Sequence, residues 1–231
     1  MKKPGVIAID GPAGSGKSTV AKEVAHRLGF LYIDTGAMYR ALTLKAINKG
    51  LDFSDNEALV ELSKNTDIEL KESGDSLKVY LDKTDVSHKI RSMEVTTKVK
   101  LLASLKDVRE NMLKLQRKFG SLSSGAVLEG RDIGTVVFPD AAYKFYLDAS
   151  FEKRVERRFR ELKEKGFSVS PEEIEADVRN RDASDMTRKV APLKKAEDAK
   201  VIDTTNMTVE EVTGKILEIV KKWHTSFLAL F

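Results

Sequence analysis

Residues 11–18 constrain this chain more than any other stretch: Gly11-Pro12-Ala13-Gly14-Ser15-Gly16-Lys17-Ser18 satisfies G-x-x-x-x-G-K-[ST] at every position. Such a loop turns successive backbone N–H groups inward around a phosphate, since glycine positions carry no side chain to obstruct the approach. A helix predicted from Lys17 adds the positive end of its dipole at the same point. The Lys17 ammonium can reach β and γ phosphates, and the Ser18 hydroxyl can ligate Mg²⁺. Gly11 through Thr19 are therefore the expected residues for binding a nucleoside triphosphate. The motif also has the context it needs. The buried-strand run Val6-Ile7-Ala8-Ile9 enters the loop, and a helix from Lys17 to Leu28, closed by Gly29, leaves it.

The same rhythm continues along the chain. Phe30 to Ile33, Ala126 to Leu128, Lys144 to Leu147 and Lys200 to Ile202 read as further short strands. Helices are expected at about 36–48, 92–104, 106–119, 151–165 and 171–182, the last opened by Ser170-Pro171. Ser54-Asp55-Asn56-Glu57 reads as a capping box opening another helix, and Thr208-Val209-Glu210-Glu211 opens the final one. Short apolar strands alternating with helices imply a parallel sheet covered on both faces, with ligands beyond the carboxyl ends of the strands. Residues 67–90 differ. Asp67 to Lys71 and Leu77 to Leu81 alternate polar and apolar around Gly74-Asp75, which predicts a half-exposed antiparallel hairpin inserted into the βα chain.

Composition removes several function classes. The 231 residues include no cysteine, which excludes disulfides and thiolate metal sites. His26, His88 and His224 are not spaced as a ligand pair. A net charge of +4, with acidic residues throughout, lacks the concentrated basic face expected of a nucleic-acid binder. No apolar run approaches the roughly 20 residues that span a bilayer, and the tail Trp223 to Phe231 is too short to anchor. The N-terminus lacks the apolar stretch of a secretory signal, so a cytoplasmic protein with no membrane partner is expected. A GTPase switch would need Asp-x-x-Gly and Asn-Lys-x-Asp; the first is absent and Asn48-Lys49-Gly50-Leu51 lacks the aspartate.

Three clusters dense in arginine and aspartate remain: Asp34 to Arg40, Glu129-Gly130-Arg131-Asp132-Ile133-Gly134-Thr135, and Arg181 to Arg188. With the phosphate loop and Val190-Ala191-Pro192-Leu193, they make the chain resemble the bacterial cytidylate kinase family, one of the nucleoside monophosphate kinases, from about Val6 to Val220. The resemblance implies one α/β domain over residues 1–231, a P-loop three-layer fold around a central parallel five-stranded sheet. The core would be about 1–35, 120–150 and 183–225. A helical acceptor-binding region would span about 36–119, with a small antiparallel β insert at about 67–90 and a short lid at about 151–168. It implies transfer of the ATP γ-phosphoryl group to CMP or dCMP with Mg²⁺, by a monomer that binds no nucleic acid. A kinase for UMP or AMP is the alternative.

Residue by residue, the resemblance suggests Thr35 near the cytosine and Arg40 and Arg131 on the acceptor phosphate. Arg109 would sit by base and phosphate, Asp132 by the base, Arg181 and Asp185 by the ribose, and Arg188 on the phosphate and base side. Lys17, Arg131, Asp132 and Arg188 are the expected catalytic set. Lys100 stands where many relatives carry a serine near the pentose. Glu129 stands where an aspartate is usual; it is either a plain strand-end carboxylate or the holder of a Mg²⁺-bound water beside Ser18. In a helix Arg154, Arg157 and Arg158 share one face. They are either lid residues closing on the ATP phosphates, with Gly166 as hinge, or an exposed basic face.

Overall fold

A computed structural model describes residues 3–73, 76–121, 125–164 and 166–228. The chain runs β1 (Lys3–Asp10), α1 (Lys17–Leu28), β2 (Leu31–Asp34), α2 (Thr35–Asn48), α3 (Asn56–Lys64), β3 (Ile68–Ser73), β4 (Ser76–Leu81) and β5 (Thr84–Asp85). It continues with α4 (Met93–Ser104), α5 (Lys106–Ser121), β6 (Ala126–Gly130), β7 (Ala141–Asp148), α6 (Phe151–Glu164), α7 (Pro171–Thr187), β8 (Lys200–Asp203) and α8 (Val209–Leu228). A five-stranded parallel sheet has the order β2-β6-β1-β7-β8, and β3-β4-β5 form a separate antiparallel sheet. The predicted hairpin is therefore present; its Gly74-Asp75 turn lies outside the described residues, as do residues 229–231 of the apolar tail.

The strands lack polar alternation because both sheet faces are covered. Val6 and Ala8 enter a core with Met38 and Leu42 of α2, Leu102 of α4 and Met112 of α5. Ile7 and Ile9 point the other way, into a core with Val20 and Val24 of α1 and Ile216 of α8. Fully burying Ile7 and Ile9 is worth roughly 1.5–3 kcal/mol each. That anchorage on both faces holds the strand from which the phosphate loop departs.

Strand β1 is central, and its neighbours β6 and β7 diverge in sequence order, so the crevice opens at its carboxyl end. Register brings Asp10 opposite Gly130 and Asp34 opposite Glu129, which delivers three of the motif segments to one edge. Helices α6 and α7 share a separate apolar cluster of Leu162, Ile174 and Val178, flanked by Phe159, Phe167 and Val169.

Two local expectations need correction. Helix α3 is capped by Asp55, whose side chain accepts from Ala58 N; Ser54 instead bonds to Asp52. Helix α7 continues to Thr187, past the predicted end at 182, so Asp185 stands on the helix and not beyond it. Ser170-Pro171 opens α7 and Thr208 caps α8 as expected, and the structure adds a reciprocal capping box between Ser170 and Glu173. Among the described residues no helix is long and apolar enough to cross a membrane.

Candidate active site

The phosphate loop is held so tightly that only glycine fits at two positions. Gly11 has φ +154, and a Cβ there would lie 2.0 Å from the Leu147 carbonyl oxygen; Gly14 has φ +76, and a Cβ would lie 2.7 Å from the Arg154 carbonyl oxygen. Lys17 folds back over the loop, its Nζ donating to Pro12 O at 2.6 Å and lying 3.4 Å from Ser15 Oγ. Burial and the nearby Arg131 charge push the Lys17 ammonium down to about 7, against the pull of Glu129, Asp185 and Asp10. An anion in the loop would supply the counter-charge this ammonium lacks.

Ser18 Oγ donates to Glu129 Oε1 at 2.6 Å, and the Tyr32 hydroxyl donates to the same oxygen at 3.4 Å. Burial first, and then the neighbouring Asp34 carboxylate, raise the Glu129 pKa above the usual range. A hydroxyl and a buried carboxylate on one edge suit a hard cation that prefers oxygen ligands. Among the described residues no group of three or more His, Asp or Glu could hold a metal unaided, so such an ion would bring its other ligands with the nucleotide.

Beyond the loop opens a cleft of about 450 Å³. Lys17, Ser18, Thr35, Arg40, Arg109, Glu129, Arg131, Asp132, Arg158, Arg181, Asp185 and Arg188 all line it. Thr35 Oγ1 donates to Glu129 O at 2.7 Å, tying the start of α2 to the end of β6. Arg40 donates to Thr96 Oγ1 at 2.8 Å, and burial, then Arg181, press its pKa down to about 10. Arg109 donates to Asp132 Oδ2 at 2.5 Å above the Tyr39 ring, 5.5 Å from its centroid. Arg188 reaches Asp132 Oδ1 at 3.3 Å and fixes its own Nε on Ala191 O at 2.5 Å. Arg131 Nε donates to Asp185 Oδ2 at 2.6 Å, while Arg181 lies 3.8 Å from Asp177. Asp185 is thus the partner of Arg131 more than of Arg181, with which the sequence reading had grouped it.

The arginines of α6 go three ways, so the shared face expected of them does not become a shared site. Arg154 is buried and spends itself on Ala149 O, Ala13 O and Asp182. Arg157 donates to Thr204 Oγ1 at 2.9 Å and Thr204 O at 2.6 Å, behind the loop. Only Arg158 lines the cleft, paired with Glu161 at 2.9 Å.

Residue-type reasoning missed two residues of this region. Arg91, in a 3-10 turn over Lys89–Arg91, lines the cleft without belonging to any motif. Asp10, at the end of β1, accepts from Ile133 N and Gly134 N at 2.8 Å each; burial above all pushes its pKa up to about 6. Its place directly before Gly11 was the available signal.

Comparison with known proteins places these features in a family. The family model described as cytidylate kinase matches residues 7–222. The cytidylate kinase of Bacillus pumilus (strain SAFR-032) is 50% identical over 218 residues, covering 94% of this chain and 96% of its own. The cytidylate kinase of Bacillus subtilis (strain 168) is 49% identical over 222 residues, covering 96% and 99%. A gluconokinase crystal structure from Sinorhizobium meliloti 1021 superimposes with a TM-score of 0.51 at 12% identity, covering 100% of this chain and 99% of its own, which is a likeness of fold alone.

Proposed function

The chain belongs to the cytidylate kinase family, and on that premise we propose that it transfers the γ-phosphoryl group of ATP to CMP or dCMP, yielding ADP and CDP or dCDP. The observation that carries this is the cleft itself. Seven arginines, Arg40, Arg91, Arg109, Arg131, Arg158, Arg181 and Arg188, line one cavity that opens onto a complete phosphate loop. Two phosphorylated substrates meeting end to end require that density of fixed positive charge.

The chemistry is positioning and charge stabilisation, since the acceptor phosphate is already an anion and needs no general base. Lys17 and the loop amides hold the donor phosphates. Arg40 and Arg131 hold the acceptor phosphate, presenting guanidinium forks that keep their charge at any working pH. Asp132, with Arg109 and Arg188, faces the base; Asp185 and Arg181 face the ribose. Helices α6 and α7 form the lid, and Arg158 is its contribution to the phosphates. Arg154 and Arg157 serve the donor side from behind the loop. Bound with ATP, Mg²⁺ would neutralise charge on the β and γ oxygens, with Ser18 and Glu129 as its nearest protein groups. Cytoplasmic location and a monomeric state belong to the same proposal.

Coupled measurement of ADP formation with AMP, GMP, CMP, dCMP, UMP and shikimate tests the acceptor. CMP or dCMP should give the highest kcat/KM; preference for any other acceptor overturns the assignment. Lys17→Ala should lower kcat by at least about a hundredfold in a folded protein.

A further inference from the structure

Asp10 lies outside the cleft lining, yet it is buried where the two halves of the site join. It ends β1 and directly precedes the phosphate loop. Across the sheet it faces Gly130, the residue before Arg131. Its Oδ1 accepts from Ile133 N and its Oδ2 from Gly134 N, both at 2.8 Å. Those two N–H groups begin the π-helical turn Ile133–Val137, and the first N–H groups of any helical turn have no partner within it. Asp132 O serves the far side, accepting from Val136 N and Val137 N. The peptide joining Asp132 to Ile133 is therefore clamped from below, which fixes the backbone from which Asp132 and, one residue earlier, Arg131 project.

We infer that Asp10 is a positioning residue for the acceptor: through the backbone of the Ile133–Val137 turn it holds Arg131 and Asp132 at the distance from the phosphate loop that transfer requires. The inference rests on the acceptor role proposed above for Arg131 and Asp132. Among the described residues Asp10 supplies the side-chain oxygens that accept from these two N–H groups, so its carboxylate ties the turn directly to the strand end that enters the phosphate loop.

Two variants disturb this contact from opposite sides. Asp10→Asn keeps the shape but turns an NH₂ toward one of the N–H groups. Gly134→Ala leaves Asp10 intact; its new Cβ would meet the Lys144 chain at 3.2 and 3.3 Å and Asp10 Oδ2 at 3.4 Å. Lys144 is pinned by Pro139 O and Asp198, so the turn itself must shift. Steady-state kinetics in both substrates, with ATP affinity from fluorescence titration of a labelled analogue, separate the roles. Asp10→Asn should lower kcat/KM for CMP about ten- to a hundredfold, with a raised KM for CMP and an ATP Kd within about twofold of wild type. Gly134→Ala should shift the same parameters in the same direction by a smaller factor. Equal losses for ATP and CMP would make Asp10 a support of the loop alone and overturn the inference. So would a folded Gly134→Ala protein with unchanged CMP kinetics, which decides the matter if Asp10→Asn does not fold. Wild-type protein assayed in parallel distinguishes the failures: no activity on CMP in wild type overturns the proposed function and this inference together, whereas an active wild type with an equally active Asp10→Asn variant overturns the inference alone.

Discussion

Asp132 shows how much a buried carboxylate can be asked to do. Its Oδ2 takes a hydrogen bond from Arg109 and its Oδ1 one from Arg188, so it orients two guanidinium groups before any substrate arrives. Each carboxylate oxygen keeps a second lone pair, and an ionised aspartate only accepts. It can therefore receive the cytosine 4-amino group while opposing the uracil carbonyl at the same position. Asp132→Ala should lower kcat/KM on both CMP and UMP, because two buried arginines lose their partner. It should lower CMP more, by a further roughly five- to 150-fold, the worth of an unmade buried hydrogen bond of about 1–3 kcal/mol. Kinetics on both acceptors read the two parts separately. A ratio of CMP to UMP equal to that of wild type would leave Asp132 as an arginine holder and nothing more.

At the scale of elements, helix α6 is bound to both neighbours by one residue. Arg154 connects the phosphate loop at Ala13 to Asp182 on α7, and the Arg154 backbone packs directly over Gly14. Leu162, Ile174 and Val178 then fasten α6 to α7 along their length. Packing of this kind makes the pair one unit, so the lid proposed here extends over about 151–187, beyond the 151–168 expected from sequence. Gly166 joins them with φ +79 and open space around it. Hydrogen exchange with and without a bisubstrate inhibitor should show α6 and α7 gaining protection together. Protection confined to 151–164 would mean that the helices move separately. Arg154→Ala should destabilise the protein by about 3–5 kcal/mol in chemical denaturation, since it leaves the Asp182 carboxylate buried and unpaired.

Across the whole molecule, the proposed acceptor region and the proposed lid face each other with like charge. Arg40 stands on α2, Arg158 on α6 and Arg181 on α7, and after burial it is Arg181 that most lowers the pKa of Arg40. Mutual repulsion opposes closure of the empty cleft, and phosphates between the arginines reverse the sign. Each ligand at a hundredfold excess over its Kd stabilises by about 2.7 kcal/mol, or a Tm shift of roughly 5–10 °C for a chain of this size. CMP and a non-hydrolysable ATP analogue together should raise Tm by more than the sum of their separate shifts, because each helps draw the other's arginines in. Arg40→Ala should lose the CMP shift and retain that of the ATP analogue. Strict additivity in wild-type protein would argue against coupling between the two sides.

Much of this was legible in the linear chain because it depends on near neighbours. The loop from Gly11 to Ser18, its flanking strand and helix, and the period-two hairpin are local patterns with local physical causes. The clusters Asp34 to Arg40 and Glu129 to Thr135 could be assigned to one edge because the carboxyl ends of parallel strands converge there. Partner choice was not legible. Helical periodicity put Arg154, Arg157 and Arg158 on one face, but the phosphate loop, Thr204 and the cleft each claimed one of them. Arg91 carries no motif and reaches the cleft only because α4 is preceded by a turn packed against α2. Asp10 falls between the strand run and the phosphate loop with no motif of its own, and its two hydrogen bonds reach 123 and 124 residues along the chain. Composition and spacing determined that this protein binds phosphate at an α/β sheet edge, because backbone geometry is set within a few residues. Which charged groups meet there was decided by tertiary structure alone, because a buried charge takes the partner that packing brings within about 3 Å, whatever their separation in sequence.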